Sequence, residues 1–565
     1  MLELLAPREL SCKFSPRRIL GKSRYADHVE LRGELGDRCA RALGRISHEI
    51  PYSENYFLSQ IQAEPSHWAD FPCCHGDTAG RWIWAQSLAA STESHAPSAL
   101  AALVHKAIAL QQSDGHFGNT TIESGTETML GAYGNGWMIK GLPVYASLFP
   151  DADVRCAVEK HVQWYIDSYG MWNDLTKVVG ERDTGFYAVT PSGYFHGLDG
   201  LMSAFRLTGD KRILELGRKF LQHRVPLDQA DHSHSYLTVR RGILALAEIT
   251  RDDALTQLVA ADLDAVWSRF ITESGGVPER FIIYPEGTKH GDEACSLADW
   301  ILLCLDLHQM TNEVKWLDRA VLSLENQLFY NQQLNGGFGA RPIESNYYTQ
   351  MGMEAPWCCS LYGPAALIQS AAHLVTFVDG VLSIHHPIEG TFTFGDEQIV
   401  LSWSPELSHY AVDTAAAPSI RRILLRQPPW LRWDQSSEDY HEAVPGTFAA
   451  EWRFWNSVPG RAPEPAAGNT RETYTQFLGP WMLTCKASEG DEPPLLPNLQ
   501  ANGLLRVMHG LPHARKTLRV EVSSNLKTNP CDVFRWPRQP ANQILLYPLK
   551  DKECPGGTRA WFRLS

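Results

Sequence analysis

The stretch CSLADWILLCLDLHQMTNEVKWLDRAVLSLENQLFY, residues 295–330, decides the fold. Its first half places Leu297, Trp300, Ile301, Cys304 and Leu307 on the i, i+3, i+4, i+7 stripe of a helix with one apolar face. Its second half repeats the stripe with Leu317, Ala320, Val321, Leu324 and Leu328. The intervening TNEVK is a tight connector whose Thr or Asn can cap the second helix. Two such helices joined so closely form a hairpin.

Working outward, the same unit recurs in HGLDGLMSAFRLTGDKRILELGRKFLQH (196–223) and in HSYLTVRRGILALAEITRDDALTQLVAADLDAVWSRF (234–270), with TGDKR and TRDDA as connectors. Gly-rich turns separate the units: LQQSDGHFGN (110–119), ITESGGVPER (271–280) and YNQQLNGGFGA (330–340). A hairpin repeated at roughly 50–65 residues and closed by a Gly turn predicts an α/α toroid, an (α/α)6-barrel, rather than a bundle. Toroids gather their functional residues on one rim, from turns and helix starts.

The helical pattern runs from about residue 80 to 376. Beyond it, short runs of alternating character take over, such as GTFTFGDEQIVLSWS (390–404), SIRRILLRQPPW (419–430), TYTQFLGPWMLTC (473–485), KTLRVEVSS (516–524) and QILLYPLK (543–550). They predict a β-sandwich of ~190 residues. The expected domains are 1–376, a catalytic (α/α)6-barrel with an N-terminal extension, and 377–565, the β-sandwich.

A net charge of −13 over 565 residues disfavours nucleic acid and anionic membrane as partners, because both need a basic surface. The 18 Trp and 19 Tyr supply rings that stack on sugar faces or fill a helical core. The first residues lack a basic segment followed by an apolar one, and no run reaches the ~20 apolar residues of a membrane helix. The expectation is a soluble, cytoplasmic chain with no membrane partner, for which a homodimer remains open. In a reducing compartment its 12 cysteines, scattered outside any compact framework, become metal or catalytic candidates where they cluster.

Three short motifs close the helical region: GGVPERF with Glu279, HGDEACSL with Glu293 and Cys295, and WCCS with Cys358 and Cys359. Neighbouring cysteines rarely reach disulfide geometry. Glu293 and Cys295 flank one residue at a helix start, and Cys358 and Cys359 open a helix one hairpin later. Equivalent ends of successive hairpins share a rim, so a Cys₃Glu zinc site is chemically sensible. Buried free cysteines packed as small hydrophobes are the competing reading. A redox pair is disfavoured by the lack of a CxxC motif.

The run DEACSLADWILLCLDLHQMTNEVKWLDRAVLSLENQLFYNQ followed by WCCSLYGPAALIQSA resembles glycoside hydrolase family 127, the zinc-dependent β-L-arabinofuranosidases, whose mark is Glu-x-Cys and a later Cys-Cys. The likeness extends over roughly residues 80 to 565. It implies a retaining glycosidase in which Cys358 attacks the anomeric carbon. Glu293, Cys295, Cys358 and Cys359 would hold Zn²⁺, Glu279 would serve as acid/base, and His196 and His234 would contact the sugar of an oligosaccharide or glycoside. Glu286 is a rival for the acid, and Cys73 and Cys74 have no family counterpart and read as ordinary loop cysteines. GAYGNGWMIKGLPVYAS (131–147) is small and apolar where the family carries polar sugar-binding residues, and the tail lacks the family's aromatic–Asn–Arg run. Two other classes compete: a carbohydrate-binding scaffold with a structural Cys₃Glu zinc, and a toroidal sugar epimerase. The epimerase needs His-based proton transfer and no thiolates.

Overall fold

The computed structural model describes residues 10–48, 51–62, 75–118, 126–172, 195–281 without 223, 231 and 273, and 290–348 without 334, 345 and 346. It then covers 353–449 without 404–408 and 434–437, and strand segments between Glu451 and Leu564. Cys73, Cys74 and Glu286 lie outside the described residues.

Among these residues, six helical hairpins close into a ring. In chain order the helices are α1 (Gly33–His48), α2 (Asp77–Ala89), α3 (Ser98–Ala109), α4 (Thr126–Leu148), α5 (Ala152–Trp172), α6 (Leu198–Thr208), α7 (Lys211–Leu221), α8 (Ser233–Thr250), α9 (Asp253–Arg269), α10 (Ala294–Thr311), α11 (Val314–Leu322) and α12 (Cys359–His373). The even-numbered helices touch in the cycle α2–α4–α6–α8–α10–α12–α2 and form the inner wall; the odd-numbered ones pack outside. Burial separates the two sets. On α8 nearly every residue from Ser233 to Ala247 is buried, whereas α7 buries only Ile213, Leu216, Gly217 and Phe220. An outer helix needs one apolar stripe, while an inner one is enclosed by its neighbours on all sides.

The connectors share one device. Gly209, Arg251 and Asn312 take the left-handed conformation at the end of an inner helix, and Asp210, Asp252 and Glu313 then start the outer one. Asp210 accepts from the Arg212 N–H, and Asp252 from those of Ala254 and Leu255. In TNEVK, Asn312 therefore ends α10 instead of capping α11, while Thr311 Oγ1 accepts from the Glu313 N–H at 3.2 Å. Asn tolerates the left-handed region better than most residues, which explains the exchange of roles.

Two Gly turns are fixed by the same packing. Gly115 (φ 104°) and Gly336 (φ 91°) lie against the backbones of α5 and α1, where a Cβ would stand 2.2 Å from Lys160 O and 2.3 Å from Arg41 O. Only glycine fits both the angle and the approach.

The second hairpin helix of the opening stretch is not α-helical throughout. After Leu322 it forms a π turn over Ser323–Leu328, then resumes at Phe329–Asn331. The wider turn directs buried Gln327 and Asn331 inward. Gln327 accepts from Ser274 Oγ at 2.8 Å, and Asn331 bonds Asp292 O at 3.3 Å and the Gly339 N–H at 2.9 Å.

The β region holds an antiparallel sheet of β1 (Cys12–Phe14), β2 (His28–Arg32), and, further along the chain, Glu389–Phe394, Glu397–Trp403, His409–Ala416 and Gly446–Ala449. A second sheet orders Tyr440–Ala443, Arg422–Arg426, Val381–Ile384 and Val375–Val378. Phe377 of the second sheet meets Phe394 of the first edge-on at 5.5 Å, and strand burial alternates as a sandwich requires. The N-terminal strand β2 thus pairs with Glu389–Phe394, from His28 opposite Thr393 to Arg32 opposite Glu389. The division expected at residue 376 falls inside the strand Val375–Val378. No helix among the described residues is long and apolar enough to cross a membrane.

Candidate active site

Strands at the rim, at one end of a larger sheet, bring the three motifs together. The strand His290–Glu293 runs into α10, and Met353–Glu354 precedes the cysteine pair; both pair with Gly339–Glu344 between them. Glu293 lies opposite Ala340, and Gly339 opposite Glu354. Glu354 anchors the turn before Cys358 by accepting from Arg45 at 2.9 Å, Ser360 Oγ at 2.8 Å and Asn335 at 2.8 Å. On the other side, single bridges join His232 to Arg280 and Pro278 to Asp292. Glu279 is therefore held between the start of α8 and the Glu293 strand, its carbonyl accepting from Ser233 N and Oγ, both at 2.9 Å.

Glu293, Cys295, Cys358 and Cys359 converge, with one donor atom from each lying within 4.8 Å of all the others. Cys295 Sγ is 3.5 Å, and Cys358 Sγ 3.6 Å, from Cys359 Sγ. These spacings approach the ~3.8 Å edge of a tetrahedron with ~2.3 Å metal–sulfur spokes. Cys295 and Cys359 occupy the first turns of α10 and α12, where unpaired N–H groups favour negative charge. Burial, then Glu279 and Cys358, push the Glu293 carboxyl well above its usual range. Hydrogen bonds from Cys295 and then Cys358 pull the Cys359 thiol down to about 6. A crowd of acidic groups with so little counter-charge fits a cation. This cluster could hold a metal. Ser296 Oγ orients Glu293 by donating to Oε2 at 2.7 Å, and the His232 ring lies 3.6 Å from the same oxygen.

The remaining wall comes from the starts of the inner helices. His196 precedes α6 and stacks on Tyr133 of α4 at 4.2 Å. Its ring nitrogens are buried and bond to nothing among the described residues. Burial, with His234 and Arg81 adding, pushes its pKa well down, so the ring is neutral. His234 opens α8 and is committed on both sides: Nδ1 lies 2.6 Å from Asp299 Oδ2, and Nε2 lies 3.2 Å from Arg81 Nη2. The sequence reading passed over Asp77, Arg81, Tyr133, Trp137 and Asp299. Asp77 and Arg81 are spaced i, i+4 at a helix start in DTAGR, a legible signal for an ion pair. Tyr133 and Trp137 are two of the three aromatic positions in the segment 131–147 that had looked small and apolar.

The fold and this thiol–carboxylate rim define a toroidal glycoside hydrolase. A family model described as "Beta-L-arabinofuranosidase, GH127 catalytic domain" matches residues 39–365, and the chain belongs to that family. Among solved structures, a GH127 β-L-arabinofuranosidase from Geobacillus stearothermophilus T6 aligns with a TM-score of 0.65 at 14% identity, covering 95% of this chain and 100% of that one. A GH127 β-arabinofuranosidase aligns at 0.64 and 13%, covering 99% and 96%, and a protein described as a glycoside hydrolase at 0.61 and 14%, covering 98% and 99%. At these identities the likeness concerns the fold. A search of curated proteins gives no match.

Proposed function

We propose that the protein is a retaining glycoside hydrolase in which Cys358 is the nucleophile and Glu279 the acid/base, acting on a terminal β-L-arabinofuranose or a similar sugar of an oligosaccharide or glycoside. The observation that carries this reading is the convergence of Glu293, Cys295, Cys358 and Cys359 beside the backbone that presents Glu279. Zn²⁺ is the ion that suits three sulfurs and one carboxylate, and when bound it keeps thiols ionised near neutral pH.

The chain's own groups supply the rest. Cys358 is the half-buried residue of the cluster, while Cys295 and Cys359 are buried, which favours Cys358 as the nucleophile. Attack forms a thioglycosidic bond as the glycosidic C–O bond breaks, and Glu279 gives its proton to the leaving oxygen. The same carboxylate then takes a proton from water, whose oxygen displaces the Cys358 sulfur and restores the thiolate. His196, with unspent ring nitrogens, can hydrogen-bond a sugar hydroxyl, and His234 contributes its ring to the same wall.

In an assay with chromogenic furanosides and pyranosides, Cys358→Ser abolishes turnover while zinc content falls only in part. Glu279→Gln slows hydrolysis ~10²–10⁴-fold and spares binding. Near wild-type turnover in Cys358→Ser would refute the nucleophile assignment, and a mild effect at Glu279 with a severe one at Glu286 would move the acid.

A further inference from the structure

Arg81 is the large charged side chain at the heart of the toroid, 1% exposed, and the catalytic reading leaves it without a task. All three guanidinium nitrogens have polar partners, and one aromatic ring packs close against the group. Nε and Nη2 reach Asp77 Oδ1 and Oδ2 at 2.7 and 3.3 Å, which neutralises the charge. Nη2 also meets Tyr133 Oη at 3.3 Å and His234 Nε2 at 3.2 Å. The indole of Trp137 lies 3.8 Å from the guanidinium carbon. The remaining nitrogen, Nη1, points at Cys295 Sγ from 3.5 Å.

An arginine can only donate, so His234 Nε2 is an acceptor and the ring proton sits on Nδ1, directed at Asp299. Asp299 is itself locked by Thr238 Oγ1 at 2.7 Å, by Tyr362 Oη and by Arg241 at 3.5 Å. A single tautomer and a single ring orientation follow. His234, expected as a sugar contact, also holds the arginine, with its ring nearly at right angles to Tyr133 and nearly parallel to Trp137.

We infer that Arg81 is a positioning residue for the thiol cluster: through the fixed line Asp299–His234–Arg81 it donates one N–H to the Cys295 sulfur and sets that sulfur's donor strength. The inference rests on the reading that the cluster binds a metal. A buried arginine is costly to desolvate, and apolar packing at this position would be at least as stable. Neutralisation by Asp77 removes the long-range field and leaves one directed hydrogen bond at sulfur, which is a local effect on one ligand. Groups one step behind a metal ligand commonly alter affinity or activity ~10–100-fold when removed.

The test uses the full chain loaded with Co²⁺ in place of zinc, and reads the near-ultraviolet charge-transfer band from thiolate to cobalt. A hydrogen bond to sulfur lowers the energy of its lone pairs, so losing that bond moves the band to longer wavelength. Arg81→Lys keeps the charge and loses the fork. The double variant Asp77→Asn/Arg81→Gln removes both charges together, so that no buried carboxylate is stranded if the first variant fails to fold.

Both variants are expected to show the shift and to release cobalt to a chelator more readily, by ~10–100-fold in affinity, with kcat lowered and KM little changed. His234→Ala moves the band in the same direction by a smaller amount, because Arg81 loses one anchor but keeps Asp77, Tyr133 and Trp137. If the wild-type protein gives no thiolate-to-cobalt band, the metal reading fails. If the wild-type band is present and stays in place in folded Arg81→Lys or in the folded double variant, the positioning role of Arg81 is overturned while the metal reading stands.

Discussion

Individual side chains in this protein are sorted by whether their polar atoms are spent. His234 has both ring nitrogens engaged, and His196, one hairpin away, has neither engaged among the described residues. His161, on α5, resembles His196 in that respect but lies among Phe117, Trp164 and Tyr165, away from the rim. Burial, with His116 adding, lowers its pKa from 6.5 to about 3. The unfolded chain binds a proton there near pH 6.5 and the folded chain does not. Its contribution is thus complete above that value and is lost as pH falls toward 3. At about pH 5 the penalty is ~2 kcal/mol. His161→Phe is expected to lose less stability than the wild type between neutral pH and pH 5, as read from urea midpoints at each pH; equal losses would refute the assignment.

The hairpins owe their register to short connectors more than to long stripes. In the α6–α7 and α8–α9 hairpins an aspartate cap and a left-handed residue define where the inner helix stops and its outer partner begins. Asp252→Ala removes acceptors for two N–H groups and is expected to cost ~1 kcal/mol in a denaturant titration. Gly336→Ala is expected to cost more than ~2 kcal/mol, because a left-handed backbone and a Cβ against Arg41 O act together. A smaller loss for Gly336→Ala than for Asp252→Ala would show that ring closure tolerates the shift. The π turn at Ser323–Leu328 belongs to the same logic. It sacrifices regular helix so that Gln327 and Asn331 can hold the turn before Glu279 and the strand carrying Glu293.

Across the molecule, the toroid and the β region are stitched at more than their junction. The β2 strand, near the start of the chain, pairs along Glu389–Phe394, and Arg426 of the second sheet reaches Asp318 of α11 at 3.0 Å. Val29 and Leu31 of β2 are buried in that sheet. Removing residues 1–32 is therefore expected to expose the edge of Glu389–Phe394 and to send the protein into the insoluble fraction on expression, although the toroid helices are intact. Soluble, active protein from that truncation would show that β2 is dispensable. An exposed, unpaired edge strand recruits other chains, which is the physical ground for the expectation.

Helical stripes, connectors and Gly turns made the toroid readable, because periodicity and backbone conformation are local properties. The same holds for the Glu-x-Cys and Cys-Cys motifs, whose donor chemistry is intrinsic to the residues. The strand character of residues 12–14 and 28–32 was not readable, since short strands carry almost no signal of their own and the pairing that ties 28–32 into the sheet is with residues more than 350 positions away. Nor were the partners of Arg81 and His234. Those depend on which atoms face one another when six helix starts close around one axis, and on which donors and acceptors remain unspent after they do. Spacing along the chain fixes the kinds of groups available; only closure of the ring assigns each of them a partner.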